Sequence, residues 1–186
     1  MLNWNNIIDI SYELMNRLPY TLFDIGSLDS NITSLILPNW SCNDVNYILF
    51  DISRFTLLES LEIGDDSFGS IESFLINDLP KLRNLKIGSN SFTQIKAADW
   101  NSDVYKALEA ARNESKSFHI LNCESLESIE IGAFSFLDFG GGFELSNLKS
   151  LKSIKIGIVE MDSRNFLCSS FIIRGMLNHY ILYINE

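Results

Sequence analysis

The sequence predicts a β-rich solenoid, in which similar turns of chain stack around one shared hydrophobic core. Two observations predict this fold: a block of the form LxxLxL recurs along the chain, and a phenylalanine lies eight residues before most copies of it. One such unit cannot bury its apolar face alone, so neighbouring units must stack. The chain has 186 residues, of which 46% are apolar and 20% charged, and this composition is typical of a packed domain.

The recurring block is clearest in "LESLEIGDDSF" at Leu58–Phe68 and "LRNLKIGSNSF" at Leu82–Phe92. "LESIEIGAFSF" and "LKSIKIGIVEM" are further copies, and weaker copies come first and last. The six copies begin at Ile32, Leu58, Leu82, Leu126, Leu151 and His179. The third and fourth starts are 44 residues apart, whereas the other spacings are 24 to 28 residues. An insertion at about 93–117 accounts for the difference.

Each block alternates apolar and polar residues, which is typical of a half-buried strand. In the second copy Leu61 and Ile63 point inward, while Ser60 and Glu62 point outward. Stacking then predicts a parallel concave sheet of about six strands. The outer side of each turn is short for a helix, so we expect short β or 3-10 segments on the convex wall. Five phenylalanines should complete the core from that side: Phe50, Phe74, Phe118, Phe143 and Phe171.

Residues 1–28 predict an N-terminal capping helix and a linker, ahead of the solenoid at 29–186. Apolar residues share one helical face there, and Pro19 follows the end of the predicted helix. The residues of that face are Trp4, Ile7, Ile8, Met15 and Leu18. A helix in this place would cover the open end of the first repeat, as terminal caps do in solenoids. A partner-binding amphipathic helix is the alternative interpretation.

The chain from Ile32 onward resembles the leucine-rich repeat superfamily, whose consensus is LxxLxLxxNxL. The third copy matches this consensus at Leu82, Leu85, Ile87, Asn90 and Phe92. Other copies have Asp66, Phe134 or Val159 at the asparagine position, so the asparagine ladder of the family is largely missing there. The recurring "IGxxSF" is also similar to the BspA-like subclass. The resemblance implies a binding scaffold for another protein, although this superfamily serves many binding tasks.

Charge and composition exclude several classes of partner. A formal charge of −10 argues against nucleic acid and against an anionic membrane surface, because both are bound through excess Lys and Arg. No apolar run is long enough to predict a transmembrane helix. Cys42, Cys123 and Cys168 are scattered and odd in number, which favours reduced thiols in a cytoplasmic protein. An extracellular or cell-surface location is the alternative.

Outward-facing charges alternate in sign from one predicted strand to the next. One file contains Glu62, Lys86, Glu130 and Lys155, and a second contains Glu59, Arg83, Glu127 and Lys152. Equivalent positions on adjacent parallel strands lie about 4.8 Å apart, so each Glu should meet a Lys or Arg. This pattern predicts a self-neutralising concave charge ladder that fixes the order of the repeats. A charged groove for a ligand is the alternative interpretation.

Glycines form a further column where each predicted strand ends, at Gly64, Gly88, Gly132 and Gly157. Glycine permits a positive φ or a close approach of two backbones, so we expect a shared turn at this position. The functional alternative is a bare track against which the backbone of a partner lies.

The irregular parts of the chain are the candidate partner-binding sites. The insertion predicts one helix, with Trp100 at its entrance and Tyr105 on its apolar face. In the last strand the outward places hold Ile181 and Tyr183, where other repeats have Ser and charge. An apolar edge strand invites pairing, so we expect a partner surface or self-association there.

No catalytic set, metal site or cofactor site emerges from the pattern. His119 and His179 lack the spacing of metal ligands. "FGGGF" at Phe139–Phe143 lacks the Lys and the strand-to-helix setting of a phosphate-binding loop. We therefore expect a non-enzymatic protein–protein interaction module whose partner the sequence does not identify. A cell-surface or secreted adhesion protein and a structural subunit of a larger assembly are the alternatives.

Overall fold

The LxxLxL blocks form strands that stack into a parallel β-solenoid, as seen in a computed structural model of the chain. The structure describes residues 7–9, 28–46, 48–95, 106, 109–110, 112–157, 164–166, 169–175 and 181–184. In chain order the strands are β1 (Ile7–Asp9), β2 (Ser34–Leu37), β3 (Leu49–Asp51), β4 (Ser60–Ile63), β5 (Ser73–Asn77), β6 (Asn84–Ile87), β7 (Ser117–Leu121), β8 (Ser128–Ile131), β9 (Gly142–Ser146), β10 (Ser153–Ile156), β11 (Ser170–Arg174) and β12 (Ile181–Ile184).

Two sheets run the length of the solenoid. The front sheet has seven strands in the order β1-β2-β4-β6-β8-β10-β12, and the back sheet has five in the order β11-β9-β7-β5-β3. Every pairing between neighbouring strands is parallel. From β2 onward the chain alternates between the sheets, so each full turn there contributes one strand to each. The prediction of a parallel β-solenoid is confirmed.

The front sheet has one strand more than the predicted six, because the N-terminus contributes β1. Ile7–Asp9 pair with Ser34–Ile36 of β2 and are a strand, whereas the sequence predicted a helix across them. A strand here satisfies the backbone groups along the edge of β2, which a helix would leave unpaired. Apart from these three residues and Leu28, the predicted capping segment lies outside the described residues.

The outer wall is more regular than the sequence suggested. The predicted short β segments of the convex wall are present, and they pair into a continuous five-stranded sheet. In β5, β7 and β9 the phenylalanine and the second residue after it point inward, as in "SFLIN" of β5, and the outward places hold both polar and apolar residues. Within the insertion, Lys106, Glu109 and Ala110 are helical, and its remaining residues at 96–105, 107–108 and 111 lie outside the described residues.

The strand register aligns equivalent inward residues of neighbouring strands in the core. Leu61 of β4 pairs with Leu85 of β6, and Ile63 pairs with Ile87. All four side chains are at most 2% exposed. The same columns continue through β8 and β10 with isoleucine at each inward place. The core therefore consists of repeated layers and has no single centre.

Two stacks of phenylalanine rings fill the space between the sheets. The first contains the five predicted residues, with ring centroids 4.6 to 4.9 Å apart and near-parallel planes except at Phe171, which is tilted by 42°. The second contains Phe68, Phe92, Phe136 and Phe166, with centroids 4.8 to 5.0 Å apart. The stacks meet edge to face, as Phe50 and Phe68 do at 5.1 Å.

The second stack corrects the alignment of the fifth copy, "LKSIKIG". The sequence pattern assigns Met161 to the place of Phe136, but Phe166 occupies it and stacks on Phe136 at 4.8 Å. This turn therefore contains five additional residues before its core aromatic. Each aromatic pair contributes about 0.5–1.5 kcal/mol beyond its buried area, which favours a ring over a thioether at this position.

Candidate functional site

The first charge file of the front sheet is a row of ion pairs between neighbouring strands. Strand register aligns Glu62 with Lys86, Lys86 with Glu130, and Glu130 with Lys155. Lys86 Nζ lies 2.5 Å from Glu62 Oε1, and Lys155 Nζ lies 2.8 Å from Glu130 Oε1. The hydrogen bond with Glu62 raises the pKa of Lys86. The file therefore divides into two separate pairs.

The second charge file contains a three-residue network. Glu127 Oε1 accepts from Arg83 Nη1 at 3.0 Å, and its Oε2 accepts from Lys152 Nζ at 2.5 Å. The hydrogen bond from Lys152, followed by that from Arg83, lowers the pKa of Glu127. Glu59 makes no ion pair with the described residues.

A polar file runs between the two charged ones and completes a neutralised face. Ser128 Oγ donates to Asn84 Oδ1 at 2.9 Å, so this file also bonds from strand to strand. The paired charges keep 32% to 66% of their side-chain surface in water. Such a face presents matched charges and amides, and Glu59 is the one member of the two charge files that is not ion-paired within the described part of the chain.

Glycines at the ends of the front strands let successive turns pack closely. A Cβ on Gly64, Gly88 or Gly132 would lie 2.5 Å from a backbone nitrogen of the preceding turn, which is closer than real Cβ atoms come. Gly157 has a φ of 88°, a backbone conformation that glycine adopts more readily than other residues. A side chain at these positions would point at the preceding turn, so the column belongs to the stacking.

A buried serine ladder joins the turns next to this column, and the sequence reasoning missed it. Ser41, Ser67, Ser91 and Ser135 are fully buried. Each serine N–H donates to the Oγ of the next, at 3.1 to 3.2 Å. The serine that recurs in "IGxxSF" was the sequence feature that could have indicated this ladder. In the next turn Asn165 has the serine's place, and its Nδ2 donates to the Gly132 carbonyl at 2.6 Å.

An amide ladder joins the ends of the back strands. Asn147 Nδ2 donates to Asn122 Oδ1 at 2.8 Å, and Asn122 Nδ2 donates to Asn77 Oδ1 at 3.0 Å. Asn122 and Asn147 have a φ of 57°, a left-handed conformation that asparagine tolerates. The sequence reasoning looked for asparagines at the Asn90 position, whereas Asn122 and Asn147 lie four residues, and Asn77 three residues, after the phenylalanine of their back strands.

The two ends of the insertion are fastened to the turn that follows it. Trp100 and Tyr105, the predicted contact residues, lie outside the described residues. At the first end, Ile95 packs with Phe134 and the buried Leu137 in a small cluster separate from the main core. At the second end, residues 112–116 lie against residues 138–141. We name residues 112–116, together with residues 138–141, the anchor.

A buried ion pair lies at the centre of the anchor. Lys116 Nζ is 2.8 Å from Asp138 Oδ2, and each side chain is only 5% exposed. The ammonium group also lies 5.6 Å from the centre of the Phe139 ring. Asp138 Oδ1 is buried and accepts no hydrogen bond from the described residues. The sequence reasoning missed this pair, because neither residue has a repeat counterpart of the same charge.

The glycines of "FGGGF" let the anchor close. A Cβ on Gly141 would lie 2.6 Å from the Lys116 carbonyl oxygen, and one on Gly140 would lie 3.1 Å from the Asn113 carbonyl. Their N–H groups donate to those same two carbonyls, at 3.0 and 2.9 Å. The backbone donors that a phosphate loop would aim at a ligand are therefore used within the anchor.

The last strand of the front sheet contains the remaining candidate residues. Ile181 pairs with Ser153 and Tyr183 pairs with Lys155, so both continue outward files of the front sheet. β12 has β10 as its one strand neighbour within the described residues. In the back sheet, Phe171 at this end is 45% exposed, whereas Phe50 at the opposite end is fully buried.

Within the described residues, no three His, Cys, Asp or Glu side chains cluster in a way that would hold a metal ion. His119 Nδ1 lies 3.8 Å from Glu144 Oε2 on the back sheet, without a third partner of that kind. Burial raises the pKa of the Cys42 thiol to about 12 and that of Cys123 to about 11, so neither forms a reactive thiolate near neutral pH.

Comparison of the chain with protein-family models, curated protein sequences and solved structures gives no match. Among the described helical residues there is no segment with the length and apolar character needed to cross a membrane.

Proposed function

We propose that the protein is a non-enzymatic protein–protein interaction module, a solenoid scaffold of the leucine-rich repeat kind. The support for the repeat class is the LxxLxL pattern together with the register of the front strands, which aligns each block with the next. The regular stack offers a partner an extended surface, and parallel solenoids of this type bind through one face or through irregular loops.

The buried anchor of the insertion carries this proposal. A surface elaboration without a role needs no buried ion pair at its root, since such a pair contributes little net stability. The front-sheet charges, by contrast, are already paired with each other, so a partner would have to displace those pairs to use them. We assign partner contact to the insertion, with Trp100 and Tyr105 as its aromatic contacts.

The edge strand β12 is proposed as a second contact, through self-association. Its predicted outward residues Ile181 and Tyr183 are apolar or aromatic, and β12 has no second strand partner among the described residues, so its edge would accept a further parallel strand. Size measurement across a wide concentration range tests this. A mass that rises with concentration in the native chain and stays monomeric in Tyr183→Lys supports the contact. A chain that is monomeric throughout, with no effect of Tyr183→Lys, contradicts it.

Affinity capture from native material tests the main proposal. The bait is compared with a variant in which residues 97–110 are replaced by a short Gly-Ser linker. This replacement leaves the packed roots at 93–95 and 112–116 in place, so the solenoid should keep its fold. We expect the specific partner to be lost with the replacement. Retention of the same partner by the replaced chain would overturn the assignment to the insertion.

A cytoplasmic location is part of the proposal. It is supported by the two buried, unpaired cysteines Cys42 and Cys123 and by the acidic composition. The test is the mass of native protein before and after enzymatic removal of N-glycans. Asn31 and Asn113 each begin an Asn-x-Ser/Thr acceptor sequence, and glycans on either would favour the extracellular or cell-surface alternative.

A further inference from the structure

The anchor has its own hydrogen bonds, which lie outside the named strands. Residues 112–116 come directly before β7, and residues 138–141 come directly before β9. The Asn113 N–H donates to the Asp138 carbonyl at 3.0 Å, and Lys116 N–H closes a turn onto the Asn113 carbonyl at 3.1 Å. These bonds, with those of the two glycines, tie the segments to each other. No pairing of the front sheet depends on them.

The ion pair makes the anchor open or close as one unit. Both side chains are 5% exposed, so a lone charge in this place would keep the cost of burial and lose its partner. Lys116 and Asp138 must therefore leave water together or return to it together. Other charged groups near the anchor, Arg112 and Glu114, are exposed and paired with each other at 2.7 Å. They do not compensate a buried charge.

The closed anchor also buries one hydrogen-bond acceptor that has no described donor. Asp138 Oδ1 is buried without a donor among the described residues, and a carboxylate oxygen in that state is costly. An apolar pair of similar volume would fill the space without this cost. The arrangement thus favours a reversible contact over maximal stability.

We propose that the anchor is a latch. Residues 112–116 and 138–141 close as one unit over the ion pair, fasten the C-terminal root of the insertion to the following turn, and open without unfolding the stacked strands. The Gly140 and Gly141 N–H groups, which lose their acceptors on opening, report the open state. This proposal needs no partner and stands or fails separately from the proposed binding function.

Native-state hydrogen exchange on the full chain tests the latch without any substitution. Amides of Asn113, Lys116, Gly140 and Gly141 are followed against those of β4 and β6 at increasing low concentrations of urea. We expect the latch amides to exchange faster and with a weaker dependence on urea, as for a local opening. An equal urea dependence of both sets would overturn the proposal, because the anchor would then open only with the whole solenoid.

Three variants then assign the effect to the ion pair. Asp138→Asn and Lys116→Met should each accelerate exchange of the latch amides by about 100-fold, and that exchange should keep a weaker dependence on urea than the exchange of β4 and β6. Lys116→Met with Asp138→Leu should restore exchange of the latch amides to the native rate or below it. No change at the latch, or a urea dependence there that rises to that of β4 and β6, would contradict the proposal.

Discussion

Two kinds of ion pair connect the turns of this protein, and they differ in their access to water. Lys86 and Glu62 on the front sheet keep 57% and 42% of their side chains exposed, whereas Lys116 and Asp138 keep 5% each. Exposed pairs contribute about 0–1 kcal/mol, while removing one partner of a buried pair costs about 3–5 kcal/mol. The same chemistry therefore contributes little to stability on the face and holds a segment in place at the anchor.

The largest expected effect separates these two regions. Lys116→Met should lower the free energy of unfolding by about 3 kcal/mol, the lower end of the range for a broken buried pair, because opening of the anchor rehydrates Asp138. Lys116→Met with Asp138→Leu should recover that loss. Urea unfolding measures both variants. A loss below about 0.5 kcal/mol for the single variant would place the anchor in the same class as the exposed face.

A glycine pair tests the close stacking of turns. Gly88→Ala would bring a Cβ within 2.5 Å of the Asp65 backbone nitrogen, and overpacking of this kind costs about 1–3 kcal/mol. Gly142→Ala is the matched control, since its nearest neighbour would be His119 Cε1 at 4.0 Å. Thermal unfolding should show a large loss for the first variant only. Equal effects at both positions would remove the steric explanation of the glycine column.

The serine ladder predicts a smaller loss. Ser67→Ala deprives the buried N–H of Ser41 of its acceptor at 3.1 Å, and an unmet buried donor costs about 1–3 kcal/mol. Ser73→Ala on the outer face of β5 serves as the control and should change stability by less than about 0.5 kcal/mol. The comparison uses urea midpoints. An unaffected Ser67→Ala variant would mean that the ladder does not join the turns.

Reversal of one front-sheet charge should have a modest effect. Glu62→Lys places like charges on adjacent strands and should cost about 0.2–1 kcal/mol. Adding Lys86→Glu restores an opposite-charge pair and should recover part of that loss. Salt provides a further test, because about 1 M salt screens exposed charges and should reduce the difference in stability between the native chain and the Glu62→Lys variant. Identical stability of single and double variants would reject pairing along this file.

The smallest expected effect is a change in one titration. The pKa of Glu127 lies below its ordinary value, first because of Lys152 and then because of Arg83. Lys152→Ala should therefore raise the pKa of Glu127 more than Arg83→Ala does, as followed by NMR titration. Because the folded pKa is the lower one, this contribution is present above the unfolded pKa and is lost as the pH falls through the folded value. An unchanged pKa in both variants would contradict the network.

The sequence was sufficient to predict the parallel solenoid, because the apolar–polar alternation within each block predicts a strand. Leu61 and Ile63 recur as Leu85 and Ile87, so both the inward face and the register follow from one alignment. The back sheet was anticipated only through its phenylalanines, since the segments around them differ in length and polarity. β1 could not be found in this way, because "IID" lies in a stretch with a helical spacing of apolar residues.

The anchor and the two internal ladders were beyond such reasoning for different physical causes. Lys116 and Asp138 are 22 residues apart and meet only because the insertion returns onto the next turn. The serines were visible as a repeated letter, but their burial depends on how closely the turns approach. The amide ladder occurs at the end of the back strands, a position whose left-handed backbone the sequence does not mark.

The account assigns structure to the regular face and recognition to the insertion, and one capture measurement tests this division directly. The native chain, Glu62→Lys with Lys86→Glu, and Trp100→Ala with Tyr105→Ala are used as baits in the same native extract, after circular dichroism has shown equal folding. The account predicts that the charge-swapped bait keeps the partner and the aromatic variant loses it. Loss of the partner from the charge-swapped bait, with retention by the aromatic variant, would contradict it.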